Sequence, residues 1–160
     1  MVPRRPRFWG SGSVATNHPE PCRESTRPSA RKSSSARLTV TRLAADRFYI
    51  VTGTGFRTHD AAWITDHLTG DVRLEDVTES WSTLSLMGPR ARDVLAAVTG
   101  DDVSNLAFPF GHVREIGIAG AMVRALRVTY VGELGWELHI PINATEAVFE
   151  NLKHDFPQRI

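Results

Sequence analysis

Glu133 lies between Gly132 and Gly135 in the string Arg127-Val-Thr-Tyr-Val-Gly-Glu-Leu-Gly-Trp-Glu-Leu-His-Ile-Pro141. A carboxylate held at the rim of a sheet accepts two hydrogen bonds at once from a planar pair of N–H donors, such as an amino-pyrimidinone edge. The bland alternative is a solvated turn glutamate, because loop tips are commonly polar. The flanking residues decide what holds it. Val128 and Tyr130 alternate with Arg127 and Thr129, and Trp136, Leu138 and Ile140 alternate with Glu137 and His139. This alternation predicts two half-buried strands, and the glycines predict a tight turn with positive φ between them.

Two neighbours of Glu133 could share its work. Tyr130 could wall a pocket, or belong to the core as strand tyrosines commonly do. Arg127 could pair with Glu133 or Glu137, reach a ligand carboxylate, or lie on a solvated strand face. Elsewhere, His59 and Asp60 could form a hydrogen-bonded pair. They stand in the first turn of a predicted helix, where the dipole favours Asp, so the pair reads as structural. His67, His112, His139 and His154 are scattered, and no metal site is expected. The single cysteine, Cys22, excludes an internal disulfide framework, and no Cys/His cluster has zinc spacing. No Ser/His/Asp or Cys/His nucleophile arrangement and no Gly-x-Gly-x-x-Gly fingerprint is present. Trp63, Trp81 and Trp136 read as core or hairpin anchors.

The elements that would position these residues follow from periodicity. Strands are predicted over 38–43, 47–52, 72–78, 81–86, 112–118, 121–130 and 136–141. Three helices separate them. The first spans 58–68, with Thr58 as N-cap and Ala61, Ile64 and Leu68 on one face. The second begins at Pro89, with Ala91, Val94, Leu95 and Val98 inward and Gly100 closing it. The third follows Asn143, with Glu146 as capping partner and Val148, Phe149, Leu152 and Phe156 as its stripe. The mixture predicts an α+β fold, a largely antiparallel sheet with helices packed on one face. No apolar run approaches membrane-spanning length.

The net charge of +1 hides two unlike segments. Residues 1–37 carry eight Lys/Arg and two Glu, whereas 38–160 carry eleven Lys/Arg and sixteen Asp/Glu. The first segment also holds five of the nine prolines. A stretch with so little apolar surface cannot offset its ordering entropy, so residues 1–37 are expected to be a disordered basic tail and 38–160 a domain. Three readings of the tail compete: a transit peptide, an arm for nucleic acid or an anionic surface, and the product of a truncated or mis-started frame. Prolines oppose the first and sparse aromatics the second, so the third is preferred, with no nucleic-acid or membrane partner.

Several strings together resemble the folate-binding aminomethyltransferase family, which includes the glycine-cleavage T-protein and the C-terminal folate domain of dimethylglycine and sarcosine dehydrogenases. They are Leu38-Thr-Val-Thr-Arg-Leu43, Phe48-Tyr-Ile-Val-Thr-Gly-Thr54, Thr58-His-Asp-Ala-Ala-Trp-Ile64, Leu84-Ser-Leu-Met-Gly-Pro-Arg-Ala-Arg92 and the Tyr-x-Gly-Glu-x-Gly-aromatic-Glu hairpin. The resemblance covers about residues 38 to 156 and looks closer to the dehydrogenase branch. It implies a partial folate-binding domain that takes tetrahydrofolate and transfers an aminomethyl or methylene carbon, with Glu133 holding the pterin. Tyr130, Thr52 and Arg127 are the further candidate cofactor-binding residues, Thr52 standing where the T-protein branch carries an Asn. FAD is implied only in a separate flavin dehydrogenase domain or subunit.

The resemblance also implies an aspartate where this chain has Arg37. Arginine stays protonated and would repel developing positive charge, so no catalytic residue is expected and the chain alone is expected to be inactive. The alternatives are a non-catalytic folate-fold regulatory or interaction module and an inactive truncated product. The expected compartment is the cytoplasm, or else the mitochondrial matrix.

Overall fold

A computed structural model of the chain describes residues 38–154 and two short strands, β1 (Arg7–Trp9) and β2 (Arg23–Glu24). The expected disorder of the rest of 1–37, the residue Arg37 and the inward Phe156 lie outside the described residues. The described chain forms two units, the first ending at Thr78 and the second starting at Glu79.

In the first unit, β3 (Thr39–Ala44) and β4 (Arg47–Val51) form an antiparallel hairpin that pairs Val40 with Ile50 and Thr41 with Tyr49. β2 adds to β3 antiparallel, and β1 pairs in parallel with β5 (Arg73–Asp76). Between β4 and β5 lies helix α1 (Arg57–His67). Thr58 does not cap it. A 3₁₀ turn, Thr54–Phe56, runs straight into the helix, and the Arg57 N–H donates to the Thr54 carbonyl. The turn thus satisfies an N–H group that a side-chain cap would otherwise serve. The expected face of Ala61, Ile64 and Leu68 is half-buried.

The second unit is a four-stranded antiparallel sheet in the order β6 (Trp81–Met87), β9 (Gly135–Pro141), β8 (Ala121–Leu126), β7 (Val113–Ile118). Helices α2 (Ala91–Val98) and α3 (Thr145–His154) complete it. Register places Leu84 opposite Leu138, Leu86 opposite Trp136, Ala125 opposite Leu138 and Ile116 opposite Val123. One face therefore collects apolar side chains in strand alternation. It packs with Ala91 and Leu95 of α2, Val148 and Leu152 of α3, and Val103 and Phe108 of the loop before β7. Phe149, expected inward, is 39% exposed. Both helices enter through turns. Pro89 lies two residues before α2, whose N-cap is Arg90, and a 3₁₀ turn, Ile142–Ala144, takes the place of the expected Asn143–Glu146 capping pair. Among the described residues no helix is long and apolar enough to cross a membrane.

Candidate functional site

The predicted hairpin is real, but its first arm ends earlier than the alternation implies. β8 stops at Leu126, and residues 127–134 form a loop. The cause is local. The Val128 N–H donates to the Leu126 carbonyl at 3.0 Å, bending the chain out of the ladder. The Arg127 backbone stays beside the segment before β7, with its N–H on His112 O and its carbonyl accepting from Gly111 N, each at 2.9 Å. Gly132 takes the expected positive φ, at 76°, and Gly135 does not. Tyr130 is therefore neither strand nor core: it is 88% exposed on the loop, beside exposed Val131.

Glu133 is exposed on the same loop. Its carboxylate neighbours Gly88, where an added Cβ would stand 3.8 Å from Glu133 Oε2. Gly88 adopts φ 132°, which L side chains rarely reach, and its N–H holds the loop through the Leu134 carbonyl at 2.8 Å. No cation among the described residues lies within ion-pair distance of Glu133. Both oxygens are thus left as acceptors, the chemistry required to bind a planar N–H pair.

Arg127 does not pair with Glu133 or Glu137, and it is not on a solvated strand face. The bend after Leu126 turns its side chain inward, where it is half-buried. Nη1 donates to Phe108 O at 2.6 Å, and the guanidinium carbon lies 5.6 Å from the ring centroid of fully buried Trp136. Arg92, from α2, lies 5.2 Å from the same ring and donates to Val103 O and Asn105 Oδ1. Phe108 meets Trp136 edge-on at 6.0 Å, and Arg114 stands 5.6 Å from the Phe108 ring. Burial, and then the charge of Arg92, push the Arg127 guanidinium below its ordinary pKa. Arg92 and Gly88 were missed from sequence. The Met-Gly-Pro-Arg-Ala-Arg string carried the signal, since a glycine-proline turn sets the next helix against the neighbouring loop.

Thr52 belongs to the first unit. It is 6% exposed, and its hydroxyl donates to Asp60 Oδ2. Asp60 is itself 2% exposed and takes a second bond from His59 Nδ1 at 2.9 Å. The His59–Asp60 pair therefore exists, and its carboxylate anchors the end of β4 to α1. With its proton committed, Thr52 can offer a ligand only acceptor lone pairs.

Comparison with known proteins gives the family. The family model described as "GCVT N-terminal domain" matches residues 33–155. Dimethylglycine dehydrogenase, mitochondrial, of Mus musculus is 34% identical over 120 residues, covering 73% of this chain and 14% of that protein. Sarcosine dehydrogenase, mitochondrial, of Mus musculus is 38% identical over 120 residues, covering 65% of this chain and 13% of that protein. The chain thus spans about one seventh of the length of these relatives. A chain of the heterotetrameric sarcosine oxidase from Corynebacterium sp. U-96, in complex with pyrrole 2-carboxylate, superimposes with a TM-score of 0.57 at 20% identity. That match covers 77% of this chain and 63% of the other. The α+β expectation agrees with this likeness, and the match over residues 33–155 shows that the chain belongs to the GCVT N-terminal domain family.

Proposed function

We propose that this chain is a tetrahydrofolate-binding domain of one-carbon transfer, with Glu133 as its pterin contact and with impaired catalysis. The observation that carries this reading is the exposed, unpaired Glu133 carboxylate on the loop between β8 and β9, inside the span that matches the family. Its two oxygens fit the amino-pyrimidinone edge, and a paired hydrogen bond fixes the orientation of the ring. Tyr130 offers an exposed aromatic face beside it. Bound tetrahydrofolate would supply the amine nitrogens that take up the carbon unit. The protein's part is to bind and orient it. Arg37 in the aspartate's place supplies no base, which is the basis for proposing slow or absent transfer. The relatives named dehydrogenases motivate a flavin-bearing domain or subunit as partner.

A second reading is a non-catalytic module of the same fold within an assembly. It is favoured by Arg37, which stands where the resemblance implies an aspartate.

A thermal melt with and without excess tetrahydrofolate tests the binding reading. Ligand at a hundredfold over Kd stabilises by about 2.7 kcal/mol, a shift of several degrees. Glu133→Ala should abolish the shift and leave the melt without ligand nearly unchanged, because the residue is exposed. No shift in the parent chain would refute folate binding. A shift that survives Glu133→Ala would move the site elsewhere.

A further inference from the structure

The loop that carries Glu133 begins with a residue of opposite chemistry, and the donors around it are only partly used. Arg127 commits Nη1 to the Phe108 carbonyl. Its Nε is buried with no acceptor, and Nη2 makes no hydrogen bond among the described residues. Trp136, fully buried beneath it, also has an Nε1–H without an acceptor. Arg92 stands against the same indole, with Nη1 and Nη2 spent on Val103 O and Asn105 Oδ1. No carboxylate among the described residues lies within ion-pair distance of either arginine.

A purely structural role accounts for half of this. Nη1 caps a loop carbonyl, and the guanidinium plane covers an aromatic ring. It leaves two buried donors unsatisfied and two like charges beside one ring with no counter-charge, both of which cost stability. The unused atoms of Arg127 are Nε and Nη2, which form the side-on fork of a guanidinium. That fork matches the two oxygens of a carboxylate in one plane. The bond from Nη1 to Phe108 O leaves that fork free of intramolecular partners among the described residues.

We infer that Arg127, backed by the charge of Arg92 and the Trp136 indole N–H, forms a binding site for a small-molecule carboxylate. The site takes acceptors, whereas Glu133 takes donors, so it stands whether or not the folate reading holds. Because Nε is closed to solvent, both oxygens seat only when residues 127–134 yield. That loop has no helix or strand of its own and exposes Tyr130 and Val131.

The test is an NMR titration of the full ¹⁵N-labelled chain with sodium acetate, against sodium chloride at equal ionic strength. The Arg127 Nε–H and Trp136 Nε1–H signals, assigned by their loss in R127K and W136F, should move along a saturating curve with acetate and not with chloride. Equal or linear movement with both salts would reduce the effect to screening and overturn the site. R127K keeps the charge and loses the fork, so an acetate-specific rise in melting temperature should vanish in it; a rise that persists would also overturn the assignment. If R127K fails to fold, the parent titration decides alone. E133Q should lose the tetrahydrofolate response and keep the acetate response, which separates the two sites. A glutamate-containing peptide that binds more tightly than succinate would assign the fork to a partner chain and not to a small ligand.

Discussion

His139 shows how a single side chain can set a pH limit on this fold. It lies on β9 with no exposed surface, its Nδ1 at 3.1 Å from Thr83 Oγ1 and its Nε2 at 3.7 Å from Glu137 Oε2. Burial pushes the imidazole below its usual pKa; Glu137 works against that shift and the charge of Arg124 adds to it. In the unfolded chain the group titrates near its ordinary value of about 6.5. Between that value and the lower folded one, the unfolded state binds a proton that the folded state refuses. Stability is therefore full above about pH 6.5 and falls as the solution is acidified through that window, by at most about 1.4 kcal/mol per pH unit. Asp76, whose shift is also downward, acts in a separate window, at and below the ordinary carboxylate range. Urea unfolding at a series of pH values between 5 and 8 should show this slope in the parent and a flatter one in His139→Gln. An unchanged slope in the variant would assign the acid sensitivity to another group.

At the scale of elements, legibility tracked how far local pattern and tertiary contact agreed. Leu84, Leu86, Trp136, Leu138 and Ile140 alternate in sequence and do line one face, because β6 and β9 pair in full register. Residues 127–130 alternate just as well and are not strand: the bonds of Arg127 to His112 and Gly111 carry the pairing with the β7 side one residue further, and the Val128 bond back to Leu126 turns the chain there. No local pattern announces those partners. Helix starts were misplaced by a residue or two for a related reason: 3₁₀ turns satisfy the first N–H groups where caps were expected. Glu133 was readable as a carboxylate at a turn. The arginine pair on Trp136 was not, because the two residues meet only after α2 packs against β9. Gly135 shows the same dependence on a neighbour. It was expected to permit a turn, yet its constraint is space: an added Cβ would lie 2.1 Å from Met87 Sδ and 2.9 Å from Leu86 O. The thioether can swing away, and the backbone carbonyl cannot. Gly135→Ala should cost about 1–3 kcal/mol in chemical denaturation by overpacking. Gly117→Ala, where nothing lies within 4 Å, should cost well under that. Equal effects of the two substitutions would show that β6 and β9 do not approach as described.

For the whole molecule, the two units are unequal in what holds them. The connected apolar core, from Ala91 to Leu152, lies entirely in the second unit, whereas Tyr49 is the only buried apolar side chain among the described residues of the first. Burial stabilises by roughly 25 cal/mol per Å² of apolar surface. The sheet of β6 to β9 with its two helices therefore carries most of the stability, and the β3–β4 hairpin with α1 leans on hydrogen bonds such as Thr52 to Asp60. Regions with few buried apolar contacts open at lower free energy than the global transition. Native-state hydrogen exchange on the full chain should then show amides of β8 and β9 exchanging only through global unfolding, with a steep dependence on added urea. Amides of β3, β4 and α1 should exchange through a smaller opening with a shallower dependence. If both sets merge into one isotherm at low urea, the chain unfolds as a single cooperative body and the division in stability is wrong. Added tetrahydrofolate should slow exchange first in residues 127–134 and in the ladder that anchors them, and later in the first unit, because the ligand's proposed contact at Glu133 belongs to the unit that is already the more stable.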